Sequence, residues 1–213
     1  MSQAEKETVS VLRAAIGKKY VLTDQQSLEF YSMDVYRSFE IPIAVVQPGS
    51  VEELQEVVRV ATGLGTAIVA RGGGASYTDG YLPTTPKSIT IDTSRLNKIV
   101  EINEEDMFVT VESGVTWAEM AAALAEKNLR TPFWGPFSGL KATVGGSSSQ
   151  NSLSMGTSAY GGSPESILCY DIVLTSGEIL KTGSSSMENS SAFFRYYGPD
   201  LTGLFSGDSG ALG

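Results

Sequence analysis

The sequence predicts an α+β fold in two lobes. A strand, a helix and a strand follow one another between Ile43 and Ala70, and further short strands and a second helix run from Ser88 to Asn128. Glycine-rich stretches at residues 71–76 and 135–162 interrupt that pattern with small residues that cannot build a hydrophobic core. The simplest organisation has an N-terminal helix and arm over residues 1–42. A domain over 43–213 follows, with a first lobe at about 43–85 and a second at about 86–213.

Each element has its own signal. Val9, Leu12, Ala15 and Ile16 recur at helical spacing from Glu5 and stop at Gly17. The mixed, aromatic segment from Thr23 to Glu40 reads as a helix and an irregular arm carrying Phe30, Tyr31, Tyr36 and Phe39. "IAVVQP" (Ile43 to Pro48) is a strand. "SVEELQEVVRVATGLG" (Ser50 to Gly65) is a helix, opened by a capping box of Ser50 and Glu53 and closed by Gly63 or Gly65. "TAIVA" (Thr66 to Ala70) completes a βαβ unit that delivers the chain into "RGGGAS". Strands follow at Ser88 to Thr93, Asn97 to Asn103 and Met107 to Gly114, then a helix over Thr116 to Asn128. Ser166 to Leu180 reads as two strands about a Ser176–Gly177 turn, and no internal repeat is visible.

Composition excludes several functions. With 213 residues, 41% of them hydrophobic, and a mean hydropathy of -0.01, the chain can bury a core. A net charge of -9 and a pI near 4.6 argue against nucleic acid or anionic membranes as partners, since both are bound through clustered Lys and Arg. One cysteine, Cys169, allows no internal disulfide, and without histidine the imidazole-based metal sites are out of reach. The polar start "MSQAEKETVS" lacks the apolar core of a secretory signal, and no run approaches the roughly 20 apolar residues of a membrane span, so the expected compartment is cytoplasmic.

The stretch "GDSG", Gly207 to Gly210, looks like the surround of the nucleophilic serine in chymotrypsin-like proteases. That chemistry needs a base to take the serine proton, and the chain has no imidazole to supply one. Ser209 therefore belongs to something else. The two glycine-rich stretches suggest what. A strand running into Arg71, Gly72, Gly73, Gly74, Ala75 and Ser76 puts consecutive N–H groups on a turn with few side chains in the way, a nest suited to a diphosphate. It matches neither the GxGxxG nor the Walker pattern. "GPFSGLKATVGGSSSQNSLSMGTSAYGG", Gly135 to Gly162, suits backbone lying against a flat polar ligand.

Taken in order, these pieces resemble the flavin-binding domain of the FAD-linked oxidase family, the vanillyl-alcohol oxidase (PCMH) type. That family includes vanillyl-alcohol oxidase, D-lactate and glycolate dehydrogenases and alkyl-dihydroxyacetonephosphate synthase. "PGSVEELQEVVRVA" resembles the family's first helix and RGGGAS its pyrophosphate loop. "ATVGG" (Ala142 to Gly146) resembles its ATIGG, Tyr160–Gly161 its YG, and "DLTGLFSGDSGALG" its DLTGLFxGSEGTLG. The resemblance covers residues 20 to 213 and implies a two-lobed α+β FAD-binding domain. It implies that Arg71 to Ser76 hold the FAD pyrophosphate. Pro136, Phe137 and Ser138 with Ala142, Thr143, Gly145 and Gly146 would line the ribityl and isoalloxazine. Ser149, Gln150, Asn151 and Gly161 would complete the pocket, and Gly207 and Gly210 would shape a flavin-contacting turn around Ser209. The sequence departs from the family at Ser147, at Ser152 to Ser154 and at Ser209, and at those places the resemblance carries no contact over.

Several members attach FAD covalently through histidine, which is absent here; Cys169 lies in the apolar strand "ILCYDIVL", so noncovalent FAD is expected. Trp117 reads as core rather than cofactor stacker, while Trp134 stands open between the two. The resemblance further implies hydride transfer from an alcohol-type carbon, as in a 2-hydroxy acid, to flavin N5. The partners implied are a small-molecule substrate and an electron acceptor or partner subunit. No catalytic base is identified, and the chain is expected to stop before the family's cap domain and to be inactive alone. The alternative is a noncatalytic flavin-binding subunit of a larger dehydrogenase complex.

Overall fold

Ser2 opens the chain's first helix, α1 (Gln3–Ile16), with a reciprocal cap: its hydroxyl accepts from the Glu5 N–H and the Glu5 carboxylate accepts from the Ser2 N–H. The computed structural model describes residues 1–132, 135–196 and 198–213. Thr8, Val9, Leu12 and Ile16 form the buried stripe of α1, and Gly17 ends it at φ +93. β1 (Val21–Leu22) and α2 (Gln25–Tyr31) follow, the latter capped by Asp24, whose carboxylate accepts from the Ser27 N–H. The arm beyond α2 is irregular, as expected; Asp34 closes its turn by accepting from the N–H groups of Tyr36 and Arg37.

β2 (Ala44–Val46), α3 (Val51–Gly63), β3 (Ala67–Arg71) and β4 (Ser88–Asp92) come next. Ser50 caps α3 as predicted, accepting from the Glu53 N–H at 3.2 Å. The capping box is incomplete, however. The Glu53 carboxylate accepts instead from the Gly49 N–H at 2.6 Å, one residue early, and pairs with the Arg95 guanidinium at 3.5 Å. Arg95, itself bonded to the Gln47 carbonyl, holds the carboxylate there.

The sheet order is β1-β2-β4-β3, with β1 antiparallel to β2 and the other three parallel. All five residues of β4 are buried, the polar Ser88, Thr90 and Asp92 as well as Ile89 and Ile91, although "SITID" alternates like a half-exposed strand. The core beneath the sheet joins Val9, Leu12 and Ile16 of α1 to Val57, Val58 and Ala61 of α3 and to Ala44, Val46, Ile89 and Ile91.

This topology moves the division of the chain. The predicted first lobe ends near residue 85 and leaves β4 to the second, but β4 pairs with both β2 and β3 and must belong with them. One compact unit comprises Met1–Leu96 and Val173–Glu178, so the N-terminal helix and arm are part of it rather than a separate segment. The segment Val173–Glu178 is held there by the Gly177 carbonyl, which accepts from Gln55 Nε2 at 2.7 Å and from the Arg59 guanidinium at 3.2 Å.

The other unit comprises Asn97–Ile172 and Ile179–Gly213. β5 (Ile99–Asn103) and β6 (Phe108–Val111) pair antiparallel with a bulge between Ile99 and Glu101. α4 (Trp117–Ala125) follows a true capping box of Thr116 and Glu119. The stretch 135–162, read from sequence as a ligand-facing loop, contains two short helices, α5 (Val144–Ser149) and α6 (Thr157–Tyr160). β7 (Asp171–Val173) and β8 (Ile179–Lys181) form the predicted hairpin, and α7 (Leu201–Phe205) is capped by Asp200. Val115, Trp117, Met120 and Leu124 make this unit's core, with Val109, Val111, Ala142 and Val144 packed around it. Among the described residues, no helix is long and apolar enough to cross a membrane and no three acidic or cysteine side chains cluster as metal ligands.

Candidate functional site

In the first unit, β3 ends at Arg71 and the chain turns through Gly72 to Ser76. Of the three consecutive glycines Gly74 alone takes a positive φ, +62. The backbone N–H groups of Gly73, Gly74, Ala75 and Ser76 donate no hydrogen bond among the described residues. Four half-buried donors in a row, left without protein partners among the described residues, are suited to anionic oxygens.

Beneath them lies Arg71, 5% exposed. Its guanidinium donates to the carbonyls of Tyr31 and Met33 and sits against the rings of Phe30, Tyr31 and Tyr81 at 5.3, 5.0 and 4.6 Å. Burial pulls its pKa down from the ordinary value, against which the neighbouring Tyr81 and Tyr31 act. Among the described residues no carboxylate lies within ion-pair distance of it. Its charge is thus buried under the loop without direct neutralisation, and it favours an anion above. The sequence points to Arg71 as a direct contact. The structure places it beneath the loop, with one guanidinium nitrogen bonded to the Tyr31 and Met33 carbonyls and the other two beside Gly74. The aromatic surround was not found from sequence, although Tyr31 in the aromatic arm and Tyr81 in "DGYLP" were its only signals. Ser76 closes the turn with its hydroxyl 2.8 Å from that of Thr78.

In the second unit, Thr143 caps α5, and the first N–H groups of the helix are spent internally. Val144 donates to the Val115 carbonyl, Gly145 to that of Ser113 and Gly146 to the Thr143 hydroxyl. A Cβ on Gly145 would stand 2.6 Å from Ser113 Cβ and 2.8 Å from its carbonyl oxygen. Gly145 is therefore glycine so that the helix can dock. Ser147, one of the places where the sequence departs from the resemblance, accepts from Trp117 Nε1 at 2.7 Å, which fixes Trp117 as a core side chain. Trp134 lies outside the described residues.

Pro136 and Ser138 shape the turn before α5, their carbonyls accepting from Gly139 and from Lys141 and Ala142; Phe137 projects from it, 93% exposed. Ala142 also accepts from the Trp117 N–H, tying this turn to α4. Asn151, at φ +48, leaves α5 exposed, and Gly161, at φ +81, packs so that a Cβ would meet the Glu165 carboxylate at 2.1 Å.

The terminal turn is stapled to the end of α5. Gly207 donates to the Ser148 carbonyl and Ser209 to that of Ser149, while Gln150 Nε2 reaches the Ser209 hydroxyl at 3.3 Å. Asp208 accepts from the Ser149 hydroxyl and from the N–H groups of Gly210 and Leu212. Ser209 sits at φ +57 and Gly210 at φ +72. Nothing here activates the serine. Fluorophosphonate probes are expected to leave Ser209 unlabelled, with Ser209→Ala indistinguishable from the parent. Gly210→Val, forced into left-handed backbone, is expected to lower stability by about 1–2 kcal/mol in urea melts. Stoichiometric labelling of Ser209 would reverse this assignment.

Comparison with known proteins places this geometry. The FAD binding domain family matches residues 42–183. The chain is 30% identical over 184 residues to glycolate oxidase subunit GlcD of Bacillus subtilis (strain 168), covering 86% of this chain and 37% of that protein. It is 30% identical over 203 residues to D-2-hydroxyglutarate dehydrogenase of Xanthomonas citri pv. viticola, covering 95% and 41%. The chain belongs to the FAD-binding domain family of the FAD-linked oxidases. Its fold is the two-part α+β fold of that family. The structure of an alkyldihydroxyacetonephosphate synthase superposes with a TM-score of 0.84 at 20% identity over 98% of this chain and 41% of that one. p-Cresol methylhydroxylase with substrate bound gives 0.80 at 24%, over 97% and 41%. The chain spans about two fifths of the length of the curated relatives it matches.

Proposed function

We propose that this chain is the cofactor-binding part of an FAD-dependent oxidoreductase acting on the alcohol-type carbon of a 2-hydroxy acid. The observation that carries the reading is the row of unpartnered N–H groups from Gly73 to Ser76 over the buried Arg71 guanidinium. In the first unit these groups would hold the diphosphate. In the second, Phe137 with its neighbours Pro136 and Ser138, and the residues around α5 (Ala142 to Gly146, Ser149, Gln150, Asn151, Gly161), are assigned the ribityl and isoalloxazine groups. Gly207 and Gly210 set the turn that braces the end of α5. When bound, FAD supplies a two-electron acceptor that takes a hydride at N5. The residues of this chain bind and orient; we assign none of them as the base. The substrate class rests on the relatives named for glycolate and D-2-hydroxyglutarate.

Retention of about one FAD per chain after gel filtration, read from the visible flavin absorbance, tests the cofactor assignment. Colourless protein after incubation with FAD overturns it. Anaerobic bleaching of the native holoprotein by a D-2-hydroxy acid, and not by a phenol, tests the substrate class.

The link to the flavin is proposed to be noncovalent. The chain has no histidine, and Cys169 is half-buried beside Gly183, whose Cβ would stand 2.7 Å from the sulfur. Acid precipitation is expected to leave all the flavin in the supernatant. Yellow colour retained by the pellet would show a covalent bond.

A further inference from the structure

The loop from Gly72 to Ser76 is held from inside the first unit by one hydroxyl. Tyr81 is 7% exposed, and its O–H is directed at the carbonyl oxygens of both Gly74, at 2.9 Å, and Ser76, at 2.6 Å. A single proton shared by two carbonyls fixes both peptide groups at once. The carbonyls are drawn into the unit, and the N–H groups that share their peptide planes, those of Ala75 and Tyr77, donate no hydrogen bond among the described residues. Burial raises the Tyr81 pKa, so the hydroxyl stays a donor at neutral pH. The ring that carries it packs 4.6 Å from the Arg71 guanidinium, which itself lies where a Gly74 side chain would be, 2.6 Å from its Cβ position. The approach to Tyr81 is braced in turn: Asp79, at φ +62, accepts from the Leu82 N–H, and its own N–H faces the Asp34 carboxylate at 3.4 Å.

We propose that Tyr81 is a positioning residue for diphosphate binding, its hydroxyl turning the Gly74 and Ser76 carbonyls away from the anion and pre-forming the donor row. This rests on the assignment of the loop to the FAD diphosphate. A carbonyl oxygen facing a diphosphate repels it, so a loop free to rotate loses affinity even with every glycine in place. Tyr81 touches neither reacting atom; it acts through the backbone it holds.

The test compares Tyr81→Phe with Gly74→Val. For each variant the FAD dissociation constant, the visible flavin band and the ³¹P resonances of bound FAD are measured. Tyr81→Phe is expected to bind FAD about five- to tenfold more weakly, as fits the loss of one hydrogen bond. Its ³¹P resonances should move toward those of free FAD while the flavin band stays in place. A merely structural role would not single out the phosphorus signals. Unchanged affinity and ³¹P shifts in Tyr81→Phe, beside lost binding in Gly74→Val, overturn the role of Tyr81 and leave the loop assignment standing. Full FAD binding by Gly74→Val overturns the loop assignment and this proposal with it. Weaker binding with a displaced flavin band and unmoved ³¹P signals also overturns it, since the effect then lies elsewhere. Should Tyr81→Phe not fold, 3,5-difluorotyrosine placed at position 81 keeps ring and hydroxyl. FAD affinity must then fall as pH rises through the ionisation of this more acidic phenol, and a flat profile overturns the proposal.

Discussion

Gly74→Val is expected to abolish FAD retention while leaving the first unit folded. Two effects act together. At φ +62 a β-branched residue is a steric outlier, and its Cβ would stand 2.6 to 3.0 Å from three atoms of the Arg71 guanidinium. Left-handed strain alone is about 1–2 kcal/mol, and at about 1.4 kcal/mol per decade it weakens binding roughly tenfold. Displacing a buried guanidinium held by two carbonyls and three rings adds to that, so the combined loss is expected to be on the order of 100-fold. The unit survives because its core, from Leu12 through Val57 to Ile89, lies among α1, α3 and the sheet and does not include the loop. Equilibrium dialysis with FAD and a melting curve of the apoprotein separate the two. Retention of flavin at the parent level would remove the loop from the binding site.

The second large effect divides two adjacent glycines that the family motif treats alike. Gly145→Val is expected to destabilise the second unit by about 2–3 kcal/mol, since the added atoms meet Ser113 Cβ and carbonyl oxygen, the same oxygen that accepts the Gly145 N–H. At about 2–4 °C per kcal/mol for a chain of this size, the melting temperature should fall by about 4–12 °C. Gly146→Ala should be neutral or mildly stabilising. Its Cβ meets only the Thr143 hydroxyl, at 3.1 Å, and alanine is the better helix former by about 1 kcal/mol. If the two variants lose FAD equally with melting temperatures unchanged, both glycines face the cofactor and the docking role of Gly145 is wrong.

The elements with strong periodicity were legible in the sequence. α3 and its flanking strands announced themselves through Ser50, the Val57–Val58 face and the closing glycines, because burial of one helical stripe leaves a spacing that can be counted. The partners of β4 were not legible, since "SITID" alternates polar and apolar residues as a half-exposed strand does, yet Ser88, Thr90 and Asp92 are buried too and β2 and β3 flank the strand on both edges. α5 escaped for the opposite reason: "VGGSSS" has no apolar period. It is helical because Thr143 caps it and because glycine and serine let it lie close on the turn before α4. The glycine loop was found, but its floor was not. The rings of Phe30, Tyr31 and Tyr81 gather on Arg71 only after the sheet brings distant segments together, and local sequence encodes no such meeting.

The place of β4 also governs how the first unit is made on the ribosome. β2 and β3 flank β4 and do not pair with each other, so both emerge in the nascent chain with unmatched edges. At about 5–20 residues per second, the stretch from Arg71 to Asp92 takes about 1–4 s to synthesise, and only then can the three parallel strands close. Even so the unit is unfinished, because the Gly177 carbonyl that receives Gln55 and Arg59 lies beyond the whole of the other unit's first segment, Asn97–Ile172. Translation through residue 178 must therefore precede completion of the first unit, and a stalled chain released earlier carries an α3 surface that chaperones and proteases can reach.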